Sequence, residues 1–453
     1  MGGGLLQLVA YGAQDVYLTG NPQITFFKVV YRRHTNFAME AIEQTFNGTP
    51  NFGSRVTVQI TRNGDLINRI YFYGNVMNTN TINTHSTLCE NNGVALVPYF
   101  GLKLLKTIEL EIGGQRIDKH YSEWLYIWNE LSLPASKKEG YNLMVGGDKY
   151  NRGIYLAAQE SYELYVPLEF WFCRNVGLAL PLIALQYHEV KINIEFENQS
   201  SMVDTNALNY TNCSLNDKIY DTVGNPATSN AGSNSAFLDQ NNSVLGGNST
   251  KISMPYASLW VDYIYLDTDE RRRFAQLSHE YLIEQLQFTG NDTINASSDA
   301  NLKSIRMNFN HPCKEIIWVI KNKDNAAAYW NNYSDCPSGS GNNYIISRNP
   351  VLRAKIQLNG NDRMSDREGN YYSKVQVFQH HENIPSLFKQ GINVYSFGIK
   401  PEEHQPSGTL NMSRIDTAVL SLSSSVNGDI LIFTVNYNVL RILSGMGGLA
   451  YSN

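Results

Sequence analysis

Apolar and polar residues alternate along much of this chain, which is the pattern of β-strands with one buried and one exposed face. The alternation is clearest over residues 56–60, 108–112 and 192–196. Helical periodicity is limited to two short segments, 121–131 and 269–276. The pattern therefore predicts an all-β protein of antiparallel sheets with long loops and a few short helices.

Parts of the pattern occur twice. Segment 42–44 (IEQ) recurs at 283–285 (IEQ), 70–73 (IYFY) resembles 317–320 (IWVI), and 111–115 (EIGGQ) resembles 357–361 (QLNGN). The three pairs keep their order and nearly the same spacing, and Gly-Gly and Asn-Gly are both hairpin-turn signals. We infer a duplicated β-unit and predict two β-sandwiches.

A fourth pair, 261–266 (VDYIYL) and 435–440 (VNYNVL), has a much shorter spacing, which indicates an insertion before the last strand of the first copy. The Asn-, Ser-, Thr- and Gly-rich range 198–251 is the candidate insertion. The predicted layout is an N-terminal arm at 1–26, a first sandwich at 27–266 with the insertion at 198–251, a linker at 267–276, a second sandwich at 277–443 and a C-terminal tail at 444–453.

Composition narrows the class of protein. The chain has 453 residues, of which 42% are hydrophobic and only 17% charged, and its net charge is −5, so no global basic field attracts nucleic acid. The 5 cysteines form no C-x-x-C pair, which argues against zinc and favours reduced thiols in a chain folded in cytosol. We find no signal-peptide pattern and no apolar run of membrane-spanning length, and expect neither secretion nor anchoring.

Several long motifs carry a family resemblance. They are 7–28 (QLVAYGAQDVYLTGNPQITFFK) with 31–37 (YRRHTNF), 267–276 (DTDERRRFAQ) with 279–285 (HEYLIEQ), and 405–416 (QPSGTLNMSRID) with the C-terminal tail. Together they resemble the major capsid proteins of nucleocytoplasmic large DNA viruses, with algal-virus and related giant-virus members closest. The resemblance implies a double jelly roll, that is, two consecutive eight-stranded antiparallel jelly-roll sandwiches.

The resemblance also implies a function. It points to a late structural protein of the virion whose homotrimers are pseudo-hexameric capsomers that tile an icosahedral shell, assembled in the host cytoplasm. The implied partners are neighbouring capsomers, penton proteins and minor capsid proteins. An internal membrane is expected nearby, without insertion, and no direct contact with nucleic acid is expected.

No catalytic, cofactor-binding or metal site is predicted, and we expect no enzymatic activity. The chain has no G-x-S-x-G and no P-loop. Adjacent His380 and His381 would point to opposite faces of a strand, so a surface or loop role is expected. Asp362, Asp366 and Glu368 do not match a calcium loop, so a polar loop is expected.

Two further possibilities remain open. A jelly-roll carbohydrate-binding attachment protein is the alternative function, with an aromatic and acidic cluster at Tyr329, Trp330, Tyr333 and Asp335 as its candidate. Sugar attachment is the other. Without a signal peptide, standard N-glycosylation is not favoured, yet members of the resembled family carry sugars, so any sugar is predicted on the loops 198–251 or 300–343. The candidate acceptors are Asn198, Asn209, Asn212, Asn241, Asn248 and Asn332.

The two ends of the chain carry few charges. The glycine-rich residues 2–11 either pack under the first sandwich or form an arm at the inner side of the shell, and the arm is favoured because glycines oppose a rigid element. The tail 444–453 has no charged residue. We expect it to pack against a neighbour or the inner side of the shell.

Overall fold

The computed structural model describes residues 3–80, 94–147, 153–156, 159–203, 252–297, 301–325, 329–336, 348–385 and 390–451. In the first half, the described strands are β1 (Phe37–Thr45), β2 (Arg55–Gln59), β3 (Leu66–Asn78), β4 (Val94–Ala95), β5 (Leu105–Ile112), β6 (Gln115–Tyr121), β7 (Tyr155–Leu156), β8 (Ser161–Pro167), β9 (Leu180–Pro181), β10 (Val190–Phe196) and β11 (Ile252–Leu266). In the second half, they are β12 (His279–Ile294), β13 (Lys303–Met307), β14 (Pro312–Asn322), β15 (Val351–Leu358), β16 (Asn361–Glu368), β17 (Asn393–Ser396), β18 (Leu410–Asn411), β19 (Ala418–Ser424), β20 (Gly428–Leu443) and β21 (Met446–Leu449).

Helices are short; the first two precede β1, and the others lie between strands. They are α1 (Gly3–Val9), α2 (Val16–Thr19), α3 (Phe100–Leu104), α4 (Ser122–Ser132), α5 (Ala135–Met144), α6 (Trp171–Arg174), α7 (Thr268–Gln276) and α8 (Gln376–His380), the last preceded by a π-helical turn (Tyr371–Val375). Helices α4 and α7 coincide, to within one or two residues, with the two segments of helical periodicity. These helical predictions are confirmed.

The first sandwich has two antiparallel layers. The described strands form one layer in the order β1-β11-β3-β8 and another in the order β2-β10-β5-β6. In the second layer Ile192 pairs with Val58 on one side and Leu110 on the other, and all three side chains are buried. Their chain neighbours Thr57 and Asn193 share a side-chain hydrogen bond of 2.7 Å on the opposite face. The period-2 pattern therefore sets which face meets the core.

The second sandwich repeats this arrangement strand for strand. Its described layers run β12-β20-β14-β17 and β13-β19-β15-β16. In each sandwich the first, eighth, third and sixth main strands form one layer and the second, seventh, fourth and fifth form the other, which is the jelly-roll order. The predicted fold class of two consecutive eight-stranded antiparallel jelly rolls is confirmed.

The repeated segments fall on equivalent elements. Segment 42–44 lies in β1 and its partner in β12, segment 70–73 in β3 and its partner in β14, and 261–266 in β11 and its partner in β20. The turns 113–114 and 359–360 close equivalent hairpins. All four turn residues have positive φ, 57° and 84° at Gly113 and Gly114 and 48° and 80° at Asn359 and Gly360, as a type I′ turn requires.

A helix joins the two sandwiches. The Asp267 carboxylate accepts from the Asp269 amide at the start of α7, and the Arg271 guanidinium pairs with Asp65 at 2.8 Å. Arg271 thus ties α7 to the first sandwich, while Arg273 pairs within the helix with Glu270 at 3.3 Å. The range 198–251 falls between β10 and β11, and its residues 204–251 lie outside the described residues.

Residues Met1–Phe37 form a compact unit of their own, separate from Ala38–Asn453. Within it, α1 and α2 are short and leave apolar side chains exposed, including Leu8, Tyr17 and Phe27. In the part of the chain that the structure describes, no helix combines the length and the hydropathy needed to cross a bilayer.

The C-terminal tail folds back on its own chain. Strand β21 pairs with β20. The His188 imidazole Nδ1 lies 2.8 Å from the Gly447 carbonyl, and the Tyr187 amide donates to the Gly445 carbonyl at 3.0 Å. The uncharged tail therefore contacts both sandwiches of its own chain.

Candidate assembly surfaces

The sheet containing β14 and β20 is buried on both faces. Along β14, Ile316 and Trp318 belong to the core of the second sandwich, whereas Ile317 and Val319 belong to a cluster that continues into the first sandwich. Strand β20 shows the same division, with Ile430 and Ile432 on one side and Leu431 and Phe433 on the other. One face of this sheet therefore closes its own sandwich, and its outer face docks onto the other.

Helix α4 is the element of the first sandwich that fills this junction. It follows β6, the fifth main strand, and its aromatic residues are buried on every side. The Trp124 ring lies 5.6 Å from the Phe433 ring, and Tyr121, just before the helix, lies 5.0 Å from Phe288. These contacts were not predicted from the sequence. An amphipathic helix has one apolar stripe, so the apolar run 124–128 (WLYIW) signals burial on two sides.

Charged side chains are also buried at the junction. Glu284 on β12 lies 3.0 Å from Arg174 of the first sandwich, 2.7 Å from Lys314 and 3.5 Å from His404. Burial acts to raise the pKa of Glu284, but Arg174, His404 and Lys314 outweigh it and lower this pKa to about 2. Glu284 is therefore ionised at neutral pH and links the two sandwiches electrostatically.

A second ion pair spans the junction between α4 and β14. Lys321 donates to Glu123. Burial alone would raise the pKa of Glu123, yet the charge and hydrogen bond of Lys321, with the charge of Lys103, lower it to about 2. Here the helix carries the acid and the sheet carries the base.

His381 lies in a loop, as the sequence predicts, but it is buried and not at the surface. Its side chain is fully buried, with Nε2 3.0 Å from the Glu315 carboxylate and Nδ1 2.7 Å from Glu402. Burial disfavours the charged imidazolium, but the two carboxylates raise the pKa of His381 to about 9. His381 follows the end of α8 rather than lying in a strand, so the argument from strand geometry did not apply.

The acidic residues Asp362, Asp366 and Glu368 lie in strand β16, and the predicted polar loop is wrong. Asp366 pairs with Arg353 at 2.7 Å and Asp362 with Lys355 at 3.3 Å across to β15. Among the described residues, no group of three or more His, Cys, Asp or Glu side chains is arranged to hold a metal ion.

The first sandwich presents an outer sheet face rich in tyrosine. Tyr73 on β3 lies 5.0 Å from Tyr165 on β8 and 6.0 Å from Tyr256 on β11. Tyr165 is 40% exposed and Tyr256 44% exposed. We call these three residues the tyrosine face. It is the counterpart of the outer face of the second sandwich, which α4 covers.

The second sandwich has an exposed apolar helix at the position that corresponds to α4. The π-helical turn and α8, residues 371–380, connect β16 to β17. Tyr372 and Val377 are buried, whereas Val375 is 41% and Phe378 is 73% exposed. We call residues 371–380 the Phe378 segment.

The aromatic cluster considered for sugar binding faces inward. The Trp330 indole is buried and donates to the Pro98 carbonyl at 2.8 Å, and its ring lies 5.8 Å from Tyr126. Tyr333 is also buried, and Asp335 accepts from the Arg348 amide. These rings stabilise the junction between sandwiches and offer no open stacking face to a sugar.

Two of the candidate sugar acceptors lie among the described residues. Asn198 is exposed just after β10. Asn332 is half-buried, its Nδ2 donates to the Cys336 carbonyl at 3.0 Å, and its Oδ1 accepts from Ser334. Asn209, Asn212, Asn241 and Asn248 lie outside the described residues.

The described cysteines Cys173, Cys313 and Cys336 carry free thiols, while Cys89 and Cys213 lie outside the described residues. Burial raises the pKa of Cys173 and of Cys313 well above the ordinary thiol value, so both are protonated and unreactive.

Two family descriptions cover almost all of the chain. Residues 25–267 match the major capsid protein N-terminus, and residues 270–448 match the large eukaryotic DNA virus major capsid protein. The chain belongs to this family. The boundary between the matches falls at the start of α7.

Relatives match over the full length of the chain. The major capsid protein of Pyramimonas orientalis virus is 49% identical and that of Paramecium bursaria Chlorella virus 1 is 43% identical, each covering 100% of both chains. A quasi-atomic model of the latter virus's capsid matches with a TM-score of 0.72 and 36% identity over 95% of this chain and 100% of that one. The Faustovirus major capsid protein, 14% identical with a TM-score of 0.68, shares the fold.

Family membership favours a structural capsid protein over the carbohydrate-binding attachment protein. Members of the family are virion shell proteins.

Proposed function

We propose that this chain is the major structural subunit of an icosahedral virion and that three copies form a pseudo-hexameric capsomer. The observation that carries the proposal is the strand-for-strand repetition of one jelly roll, with the two copies joined by a buried junction. A duplicated unit in a three-fold assembly supplies six similar blocks, and six blocks tile a flat lattice.

The chain acts through geometry in this proposal, and we propose no enzymatic role. Its partners are two further copies of itself, neighbouring capsomers, penton proteins and minor capsid proteins, with assembly in the host cytoplasm. The mixed charge of the chain, net −5, supports a role without direct contact to nucleic acid.

The layout that we propose keeps an arm at 1–26, sandwiches at 27–266 and 277–443, a linker at 267–276 and a tail at 444–453. Within the range 27–266, the first strand begins at Phe37. The arm lies at the inner side of the shell, close to minor proteins and an internal membrane. The exposed apolar side chains of residues 3–37 support this role, because a partner would remove them from water.

Sugar attachment, where it occurs, belongs to the outer loops. Asn198 is the described acceptor that the geometry favours, since it is exposed, whereas the Asn332 amide already donates to a backbone carbonyl. Peptide mapping of the virion protein tests this assignment. Sugar found on the strands instead of the loops would contradict it.

Solution mass tests the central proposal. Purified full-length protein should have a light-scattering mass three times the chain mass of 51.1 kDa. A monomer or dimer at all accessible concentrations would contradict the capsomer.

A further inference from the structure

The junction between the two sandwiches of one chain is formed by two surfaces, a helix of the first sandwich and a sheet face of the second. A helix that follows the fifth main strand of the first sandwich, α4, packs on the outer face of the sheet β12-β20-β14-β17 of the second. The contact is heterologous, because helix and sheet face are different surfaces.

Each sandwich also has the other of these two surfaces, and that surface takes no part in the junction inside the chain. The first sandwich has the outer sheet face, occupied by the tyrosine face. The second has the helix after its fifth main strand, the Phe378 segment. In both cases the apolar side chains stand exposed, with Phe378 at 73% and Tyr256 at 44%.

The charges on these two unused surfaces are complementary. Next to the tyrosine face, Glu43 accepts from the Tyr256 hydroxyl, and the exposed Glu163 lies beside Tyr73. The Phe378 segment carries an exposed Lys374, four residues before Phe378 and on the same side of the helix. Here the helix carries the base and the sheet carries the acids. In the contact inside the chain the charges are reversed, with Glu123 on the helix and Lys321 on the sheet.

We propose that the Phe378 segment of one copy docks on the tyrosine face of the next copy, with Lys374 directed to the acidic edge formed by Glu43 and Glu163. This deepens the proposed trimer and rests on it. Repeating the contact inside the chain at each chain boundary alternates first and second sandwiches around a ring, which closes with three chains. The reversed charge keeps the two kinds of contact apart, because an α4-type helix would place acid against acid.

Cysteine cross-linking in the full chain tests the pairing. Phe378→Cys is combined in turn with Tyr73→Cys, Tyr165→Cys or Tyr256→Cys, oxidised, and run on a non-reducing denaturing gel beside wild type. At least one double variant should give covalent dimers and trimers that wild type lacks. Each single variant should stay monomeric, and a mixture of two single variants should stop at dimers, since only one end of each chain can react. Dimers from a single variant would overturn the heterologous contact.

Solution mass separates this inference from the trimer itself. Phe378→Ser should lower the mass threefold, to that of one chain, at a concentration where wild type is a trimer. Tyr187→Ser is the matched control, because Tyr187 is also 73% exposed and lies outside the proposed contact. If Phe378→Ser fails to fold by circular dichroism, the cross-links decide. A wild-type trimer without cross-links would assign the two surfaces to another partner and overturn the inference alone, whereas a wild-type monomer would overturn the trimer with it.

Discussion

The Arg174 guanidinium of the first sandwich lies 3.0 Å from the Glu284 carboxylate of the second, and Lys314 approaches the same carboxylate at 2.7 Å. Glu284→Gln would leave the buried Lys314 and the partly buried Arg174 without their anion. We expect the free energy of unfolding to fall by about 3–5 kcal/mol at neutral pH. Chemical denaturation measures this loss.

The control for Glu284 lies on the same strand. Glu280 pairs with Arg441 at 2.8 Å, but both side chains are more than half exposed, so Glu280→Gln should change stability by less than about 1 kcal/mol. Because the folded pKa of Glu284 lies below its ordinary value of 4.5, its contribution is present above that pH and is lost as pH falls toward about 2. Equal losses for the two variants would contradict the role given to Glu284.

His381 provides stability with the opposite dependence on pH. Its pKa is raised from 6.5 to about 9, so its contribution is complete below pH 6.5 and is lost as pH rises through 9. We expect His381→Gln to destabilise the protein by on the order of 3 kcal/mol at pH 6, with the difference from wild type shrinking above pH 9. Denaturation midpoints of the variant and of wild type, at pH 6 and above pH 9, measure this difference in stability. His380→Gln, at the half-exposed neighbour, is the control and should show no such convergence.

The ion clusters of Glu284 and His381 could not be predicted from the sequence. Period-2 alternation predicted the sheets, and the weak repeats located equivalent strands, because each signal can be read from short segments of sequence. The pairing of His381 with Glu315 joins residues that are far apart in the chain, and no sequence motif with a fixed spacing predicts it. Strand β16 was missed for a different reason. Its side chains are mostly exposed on both faces, so no apolar period marks it.

The junction between sandwiches was partly predictable. The run 316–320 (IIWVI) lacks alternation, and an uninterrupted apolar strand signals burial on both faces. What the sequence could not supply is the identity of the covering element, because α4 reaches this face only through the tertiary fold.

The N-terminal arm should be separable from folding. We expect a protein that lacks residues 1–11 to remain a trimer with an unchanged unfolding midpoint, while shell assembly is impaired. Electron microscopy of assembly reactions gives the readout, and deletion of the tail 444–453, which removes the pairing of β21 with β20, is the contrasting variant that should lower stability. Loss of folded protein after the arm deletion would place the segment in the core.

The paired hairpins offer a test of the duplication by energetics. Gly114 and Gly360 hold equivalent positions with φ of 84° and 80°, and a Cβ at either would meet no other atom within 4 Å. Alanine at either site would therefore incur only backbone strain, and Gly114→Ala and Gly360→Ala should each cost about 1–2 kcal/mol of unfolding free energy. Asn359→Gly should be mildly destabilising, because it relieves the left-handed conformation but removes the hydrogen bond that the Asn359 Oδ1 accepts from the Thr417 amide at 3.0 Å. Because the two turns have the same geometry on equivalent strands, costs that differ by more than about 1 kcal/mol would mean that the hairpins are not energetic equivalents despite their shared topology.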